Sequence, residues 1–352
     1  MPAVRIGLIV CLLAGTLSPA AAVRPITPPA PEFPRNSAWV NSMPYSMARF
    51  KGRRVVMVTF INLYSINSVR TVRWLNSMWD KYALKGLMIV GVHSPDFSFD
   101  RDPARIREAV TRFGLRFPVV IDSDKKIWNS YNNSGWPAHY LVSHKGLLLH
   151  DRVGEGGYGE FEHEVLLALE NNGARFPKDY YIKPDKPRKE CGSSTEGFHL
   201  GTERGPELKK LKAKRVEAIV EARDGEVRVL GKWSKEKQAV RFKGDSRRLN
   251  TRMRLIYHGA EALAVLSRTG TRPGRLYVKQ DNLWLHAGNA NTDIQWDDDD
   301  RSYVLVDQPR LYHLTRNLKR RMYELLLLPD EEGVGLDAFE FSDHCQTEYD
   351  HK

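Results

Sequence analysis

From residue 55 to residue 172 the apolar positions of the chain alternate between unbroken runs and helical spacing. VVMVTF (Val55 to Phe60) and LMIVGVH (Leu87 to His93) are runs of strand length, and SVRTVRWLNSMWDKYALKG between them carries a helix-compatible pattern. PARIREAVTRFG follows, with Asp102 before Pro103, a favourable pairing of N-cap and first helical residue. Then come a strand FPVVID, a short helix DKKIWNSY, a strand AHYLVS, a turn HKG, a strand LLLHDRV and a closing helix GEFEHEVLLALENN. Strands alternating with helices predict an α/β sheet, and two late strands joined by a Gly-containing turn predict a terminal hairpin.

Beyond this the pattern changes. ARFPKDYYIKPDKPRKE (residues 174–190) is basic and Pro-rich and reads as a linker. After it, EVRVL, QAVRF, RMRLIYH, RLYVKQ, NLWLHAG, SYVLVD, RLYHLT, YELLLLP and LDAFEFS follow one another with turn residues between them. Such a series, without a strong helical repeat, predicts an all-β sandwich, jelly-roll-like, over residues 191–352. One helix is expected before it, near Gly205 to Arg223.

The N-terminus changes the setting. Arg5, the apolar run IGLIVCLLAGTL and Ala20-Ala21-Ala22 compose a signal peptide over residues 1–22, too short an apolar run for a comfortable membrane span. Retention as an uncleaved membrane tether is the alternative fate. Val10 is larger than the small residue expected before a lipidated cysteine, so Cys11 belongs to the signal. Residues 23–37, with RPITPPAPEFP, read as an extended Pro-rich tether, and folding is expected to begin near Ala38.

The chain has 352 residues, enough for two domains, and a net charge of +11. That charge suits anionic lipid or acidic polymer, and for an exported protein nucleic acid is excluded as the main partner. The densest basic run, KKLKAKR (Lys209 to Arg215), reads as a solvated helical face. Cys191 and Cys345 become a candidate disulfide closing the second domain, because export leads to an oxidising compartment and a sandwich brings its ends together.

Residues 38–173 resemble the thioredoxin-like redoxin family, in particular the exported TlpA/DipZ type. The matching stretches are VVMVTF, INSVRT, GLMIVGVHSPDFSFDRDP, FPVVIDSD, IWNSYNNSGWPAHYLVSHKG and VGEGGYGE. The last part, from STEGFHLG through LGKWS to GLDAFEFSDH, resembles the carbohydrate-binding-module-like sandwich that accompanies this type. The resemblance implies an α/β thioredoxin-like domain, thiol-disulfide exchange, and a periplasmic or cell-envelope location. It also implies a Cys-x-x-Cys at NLYSINSVRT (Asn62 to Thr71), where this chain has Ser65 and Ser68. A thiolate is required both to attack a disulfide and to resolve the mixed disulfide, and a serine hydroxyl does neither. The family's buried acid falls on Thr59 and the aromatic after the strand on Ile61, so the departure extends beyond the two thiols. Pro137, after Trp136, falls on the family's cis-proline, which implies a groove where an extended peptide pairs with the backbone. Tyr64, Asn67, Trp136, Pro137 and His93 are its candidate lining.

The expected function is therefore a non-catalytic binding or scaffold protein, with a peptide segment in the groove or a saccharide on the sandwich as partner. One alternative is an oxidoreductase whose couple moved to Cys191 and Cys345. Another is a saccharide-binding adaptor that stacks sugars on Trp233, Tyr257, Tyr277, Trp284, Trp296 or Tyr303, although strand aromatics more often form core. No cofactor is expected. His93 and His139 lack spaced companions for a metal, and the run Asp297 to Asp300 reads as a solvated loop rather than a calcium site.

Overall fold

Seven consecutive buried residues make β2 (Val55–Ile61) the spine of the first unit. The structure, a computed structural model, describes residues 27–177, 180, 194–210, 223–244 and 251–343. The signal segment, Cys11, Cys191, Cys345 and residues 211–222 of the expected helix lie outside the described residues, so the disulfide expectation falls there too.

β2 pairs in parallel with β3 (Leu87–His93), which pairs in parallel with β4 (Val119–Ile121). On the other side it meets β5 (Ala138–Val142) antiparallel, and β5 continues into β6 (Leu148–Val153). A short β1 (Trp39–Val40) closes the far edge, giving the order β1-β4-β3-β2-β5-β6. The helices are α1 (Met47–Phe50), α2 (Ile66–Tyr82), α3 (Pro103–Arg112), α4 (Lys126–Ser130) and α5 (Tyr158–Asn171). Both faces of the central strands are covered, which is why β2 and β3 read as runs rather than alternations. Met57 and Ile61 pack with Trp74, Leu75 and Phe161 from α2 and α5. Val58 and Phe60 pack on the opposite face with Ile127 and Tyr131. The Asp102 carboxylate caps α3 by accepting the Ala104 N–H at 2.9 Å. This is a thioredoxin-like fold.

The Pro-rich segment departs from the expected free tether. Ala30 N–H donates to the Gly146 carbonyl, and Phe33 is buried against the sheet. Glu32 Oε1 accepts the Met47 N–H at 2.5 Å at the start of α1. An apolar anchor and a carboxylate at a helix N-terminus outweigh the extended preference of the prolines.

The second unit is a β-sandwich built by bending long strands. Its strands are β7 (Phe198–His199), β8 (Lys209–Lys210), β9 (Val227–Leu230), β10 (Trp233–Lys235), β11 (Val240–Phe242), β12 (Arg252–Arg268), β13 (Gly274–Gln280), β14 (Leu283–Trp284), β15 (Ile294–Trp296), β16 (Ser302–Val306), β17 (Arg310–Pro329) and β18 (Val334–Ser342). The stretch expected to start a helix at Gly205 holds strand β8 at Lys209–Lys210, paired with β9. RLYHLT and YELLLLP, read as two strands, are the two halves of β17, paired with β12 along both. The first half of β12 borders β9 and its second half borders β18, so the sheet turns a corner midway. The inward residues of β12 change from Met253, Leu255 and Tyr257 to Ala262, Ala264 and Leu266 across that corner. Irregular register at Gly259/Glu261 makes the change of parity, as a bulge must.

Candidate functional site

The chain leaves β2 at Ile61, turns through Asn62, Leu63 and Tyr64, and enters α2 with Ser65 as N-cap. Ser65 has extended backbone and makes no side-chain capping bond. Ser68 is fully buried in the first turn, and its Oγ accepts the Asn62 N–H at 3.1 Å. Asn62 organises the turn: its Oδ1 accepts the Tyr64 N–H at 2.8 Å, and its Nδ2 donates to the Ser94 carbonyl at 3.2 Å and to Asp100 Oδ2 at 2.9 Å. Asp100 also accepts the N–H groups of Asp96 and Phe97. Burial pushes its carboxyl up to about 7, against the lowering effect of those donors.

Two buried histidines lie near this turn. His93 Nε2 faces the Leu63 N–H at 3.4 Å while its Nδ1 has no partner, and burial pushes the ring down to about 4. His139 Nδ1 meets Thr59 Oγ1 at 2.8 Å, its Nε2 is unpartnered, and burial together with Arg152 pushes it down to about 3. Trp74 and Phe161 enclose its ring. Thr59 at the centre of β2 thus has a neutral imidazole as its partner. Neither histidine is hydrogen-bonded to Ser65 or Ser68, so neither is placed as a general base for a serine nucleophile.

The candidate groove residues divide between two clusters. Tyr64 lies 5.2 Å from Phe99 and 6.2 Å from His93, edge to face. Trp136, joined to Pro137 by a cis peptide bond, packs instead on Trp128 at 4.4 Å, with the Lys125 ammonium over both rings. Asn67 Oδ1 accepts from Arg70 at 2.7 Å.

What lies against the serine turn is the sandwich. Tyr64, Ile66 and Phe97 form one buried cluster with Leu263 and Val265 of β12, Leu311 of β17 and Ala338 of β18. Polar contacts border it. Arg70 binds Glu155 through two donors and reaches Ser342 Oγ at 2.5 Å. Asp96 meets His199 Nε2 at 2.8 Å and Arg204 at 2.5 Å, and these partners hold its carboxyl below the usual range despite its burial. The Ser98 N–H donates to Gln238 at 2.8 Å.

Sequence reasoning missed Asn62, Arg70, Asp96 and Asp100. The one available signal was SPDFSFD, two acids set among aromatics directly after a buried strand. In the sandwich, Tyr257 is core, Tyr277 and Tyr303 are buried in a side cluster with Trp284, and Trp296 is 42% exposed. Asp297 is committed to Arg301 and the Tyr277 hydroxyl rather than left as an open ligand, and no metal-binding group occurs among the described residues.

The chain matches no protein-family model. It is 29% identical over 154 residues to Protein DipZ of Mycobacterium tuberculosis, covering 42% of this chain and 22% of that protein. It is 27% identical over 141 residues to Thiol-disulfide oxidoreductase YkuV of Bacillus subtilis, covering 40% of this chain and 94% of that protein. A solved thioredoxin-like protein in the oxidized form is 26% identical, with a TM-score of 0.38 and coverage of 42% of this chain and 99% of its own. The chain thus spans about a fifth of the length of DipZ. The N-terminal unit has the thioredoxin-like fold, and its relatives in sequence include proteins named as thiol-disulfide oxidoreductases.

Proposed function

We propose that the chain is a non-catalytic thioredoxin-fold protein of the cell envelope, in which the loop that carries the redox cysteines in its relatives has become a seat for the protein's own sandwich. The observation that carries this reading is the pairing of Ser65 and Ser68 at the head of α2 with the burial of Tyr64 and Ile66 under Leu263, Val265, Leu311 and Ala338. Serines there form no mixed disulfide. The Tyr64 side, already covered, offers no room for a peptide, so recognition of an envelope partner falls to the remaining exposed surface.

The test is thiol-disulfide exchange on a disulfide-bonded protein substrate. The expected result is no turnover above background, unchanged by joint Ser65→Ala and Ser68→Ala substitution; turnover abolished by those changes would refute the reading. Turnover abolished by Cys191→Ser would transfer the activity to the cysteine couple of the second domain. A saccharide partner is favoured by one further observation, the exposed indole of Trp296. Under that version Trp296→Ala weakens binding of the full chain to envelope saccharides while Trp136→Ala leaves it unchanged.

A further inference from the structure

At the corner of the sandwich β17 carries more residues than its partner needs. Arg316 pairs with Glu261 and Arg321 with Gly259, so residues 317–320 stand opposite Ala260 alone. Asn317 turns inward and donates to the Ala260 carbonyl at 3.0 Å, which pushes the rest of the bulge outward. Leu318 at its tip is 93% exposed, with Lys319 and Arg320 beside it and Met322 also exposed. The β13–β14 turn stands next to it, because Asp281 accepts from Arg321 at 3.1 Å and from the Glu324 N–H at 3.0 Å. Asp281 and Asn282 both have positive φ, a tight hairpin that presents Leu283 at 72% exposure.

Three exposed apolar side chains therefore share one end of the molecule with Arg316, Lys319, Arg320 and Arg321. Three of these cations have carboxylate partners, Glu261, Asp343 and Asp281, and in each pair the carboxylate is the more buried member, while the Arg321 guanidinium also lies over the Tyr323 ring. The outward charge is positive and the outward tips are apolar. That combination fits a headgroup layer, where short apolar side chains enter the acyl boundary and cations meet lipid phosphates. A lone exposed leucine would call for no explanation. A leucine lifted by a bulge between two cations, beside a second loop presenting another, does.

We propose that this end of the sandwich is a docking surface for an anionic lipid membrane. The proposal is independent of whether the serine loop is catalytic. The test is co-sedimentation of the full chain with vesicles of phosphatidylglycerol and phosphatidylcholine, against vesicles of phosphatidylcholine alone. The apolar N-terminal run is present in every variant, so differences between variants report on the corner. The expected result is binding to the anionic vesicles that weakens in 0.5 M salt, where the screening length falls to about half its physiological value. Binding is expected to fall at least about tenfold both in Lys319→Glu/Arg320→Glu and in Leu318→Asp/Met322→Asp. Absence of binding by the wild type, equal binding to both vesicle types, or binding unchanged in both variants would overturn it.

Discussion

Thr59 and His139 show at the scale of a residue how a buried position is kept neutral. Both are fully buried and paired at 2.8 Å, and no carboxylate is available to charge the ring. The folded imidazole titrates at about 3, well below the ordinary 6.5 of an unfolded chain. The unfolded state therefore binds the extra proton between those values, and stability present above pH 6.5 is lost as the pH falls towards 3. His93, at about 4, acts in the same direction. Chemical unfolding at pH 7 and pH 5 is expected to show a loss in the wild type of which His139→Gln lacks one histidine's share, about 1.4 kcal/mol per pH unit. An equal loss in both proteins would show that His139 is protonated without penalty. Arg70 is the second such residue. Removing its paired contacts to Glu155 and Ser342 by Arg70→Ala is expected to destabilise by about 1.5–3 kcal/mol, the range for hydrogen bonds to charged groups, read in the same unfolding experiment.

The elements that meet at the interface are the head of α2 and the second half of β12. Ser68 is buried while Ser65 is partly open, so single cysteines placed there report on the cover. Ser65→Cys is expected to react faster than Ser68→Cys with a thiol reagent, and Val265→Asp on β12 is expected to speed both by loosening the seat. Rates untouched by Val265→Asp would mean that the sandwich does not shield the loop. The sequence of this half-strand, EALAVLS, was not among the runs read as β, which stopped at RMRLIYH, and the half-strand is two-faced. Ala262, Ala264 and Leu266 fill the sandwich core, whereas Leu263 and Val265 fill the cluster with Tyr64 and Ile66. The break that made β17 look like two strands has a similar origin. NLKR interrupts the apolar pattern because those residues leave the ladder at the corner, and a pattern of period two carries no sign that the strand resumes.

At the scale of the whole molecule, an apolar cluster and the contacts of Arg70, Asp96 and Ser98 join two units that the linker alone would leave independent. Heat unfolding of the wild type is expected to be one cooperative transition. Ile66→Asp combined with Val265→Asp is expected to split it in two, since each unit keeps its own core. Two transitions in the wild type would show that the interface contributes little to stability.

Much of this architecture was decided locally. The runs VVMVTF and LMIVGVH, the helical spacing between them, and Asp102 before Pro103 each specify an element through forces acting within a few residues. For that reason the order of strands and helices in the first unit, and the β character of the second, were readable from the chain. The serines at 65 and 68 were equally plain, because chemistry resides in the side chain itself. The tertiary structure alone decided what covers those serines. Burial of Tyr64 by Leu263, or of Asp96 by His199 and Arg204, joins residues a hundred or more positions apart, and an apolar side chain carries no record of which distant surface will remove it from water.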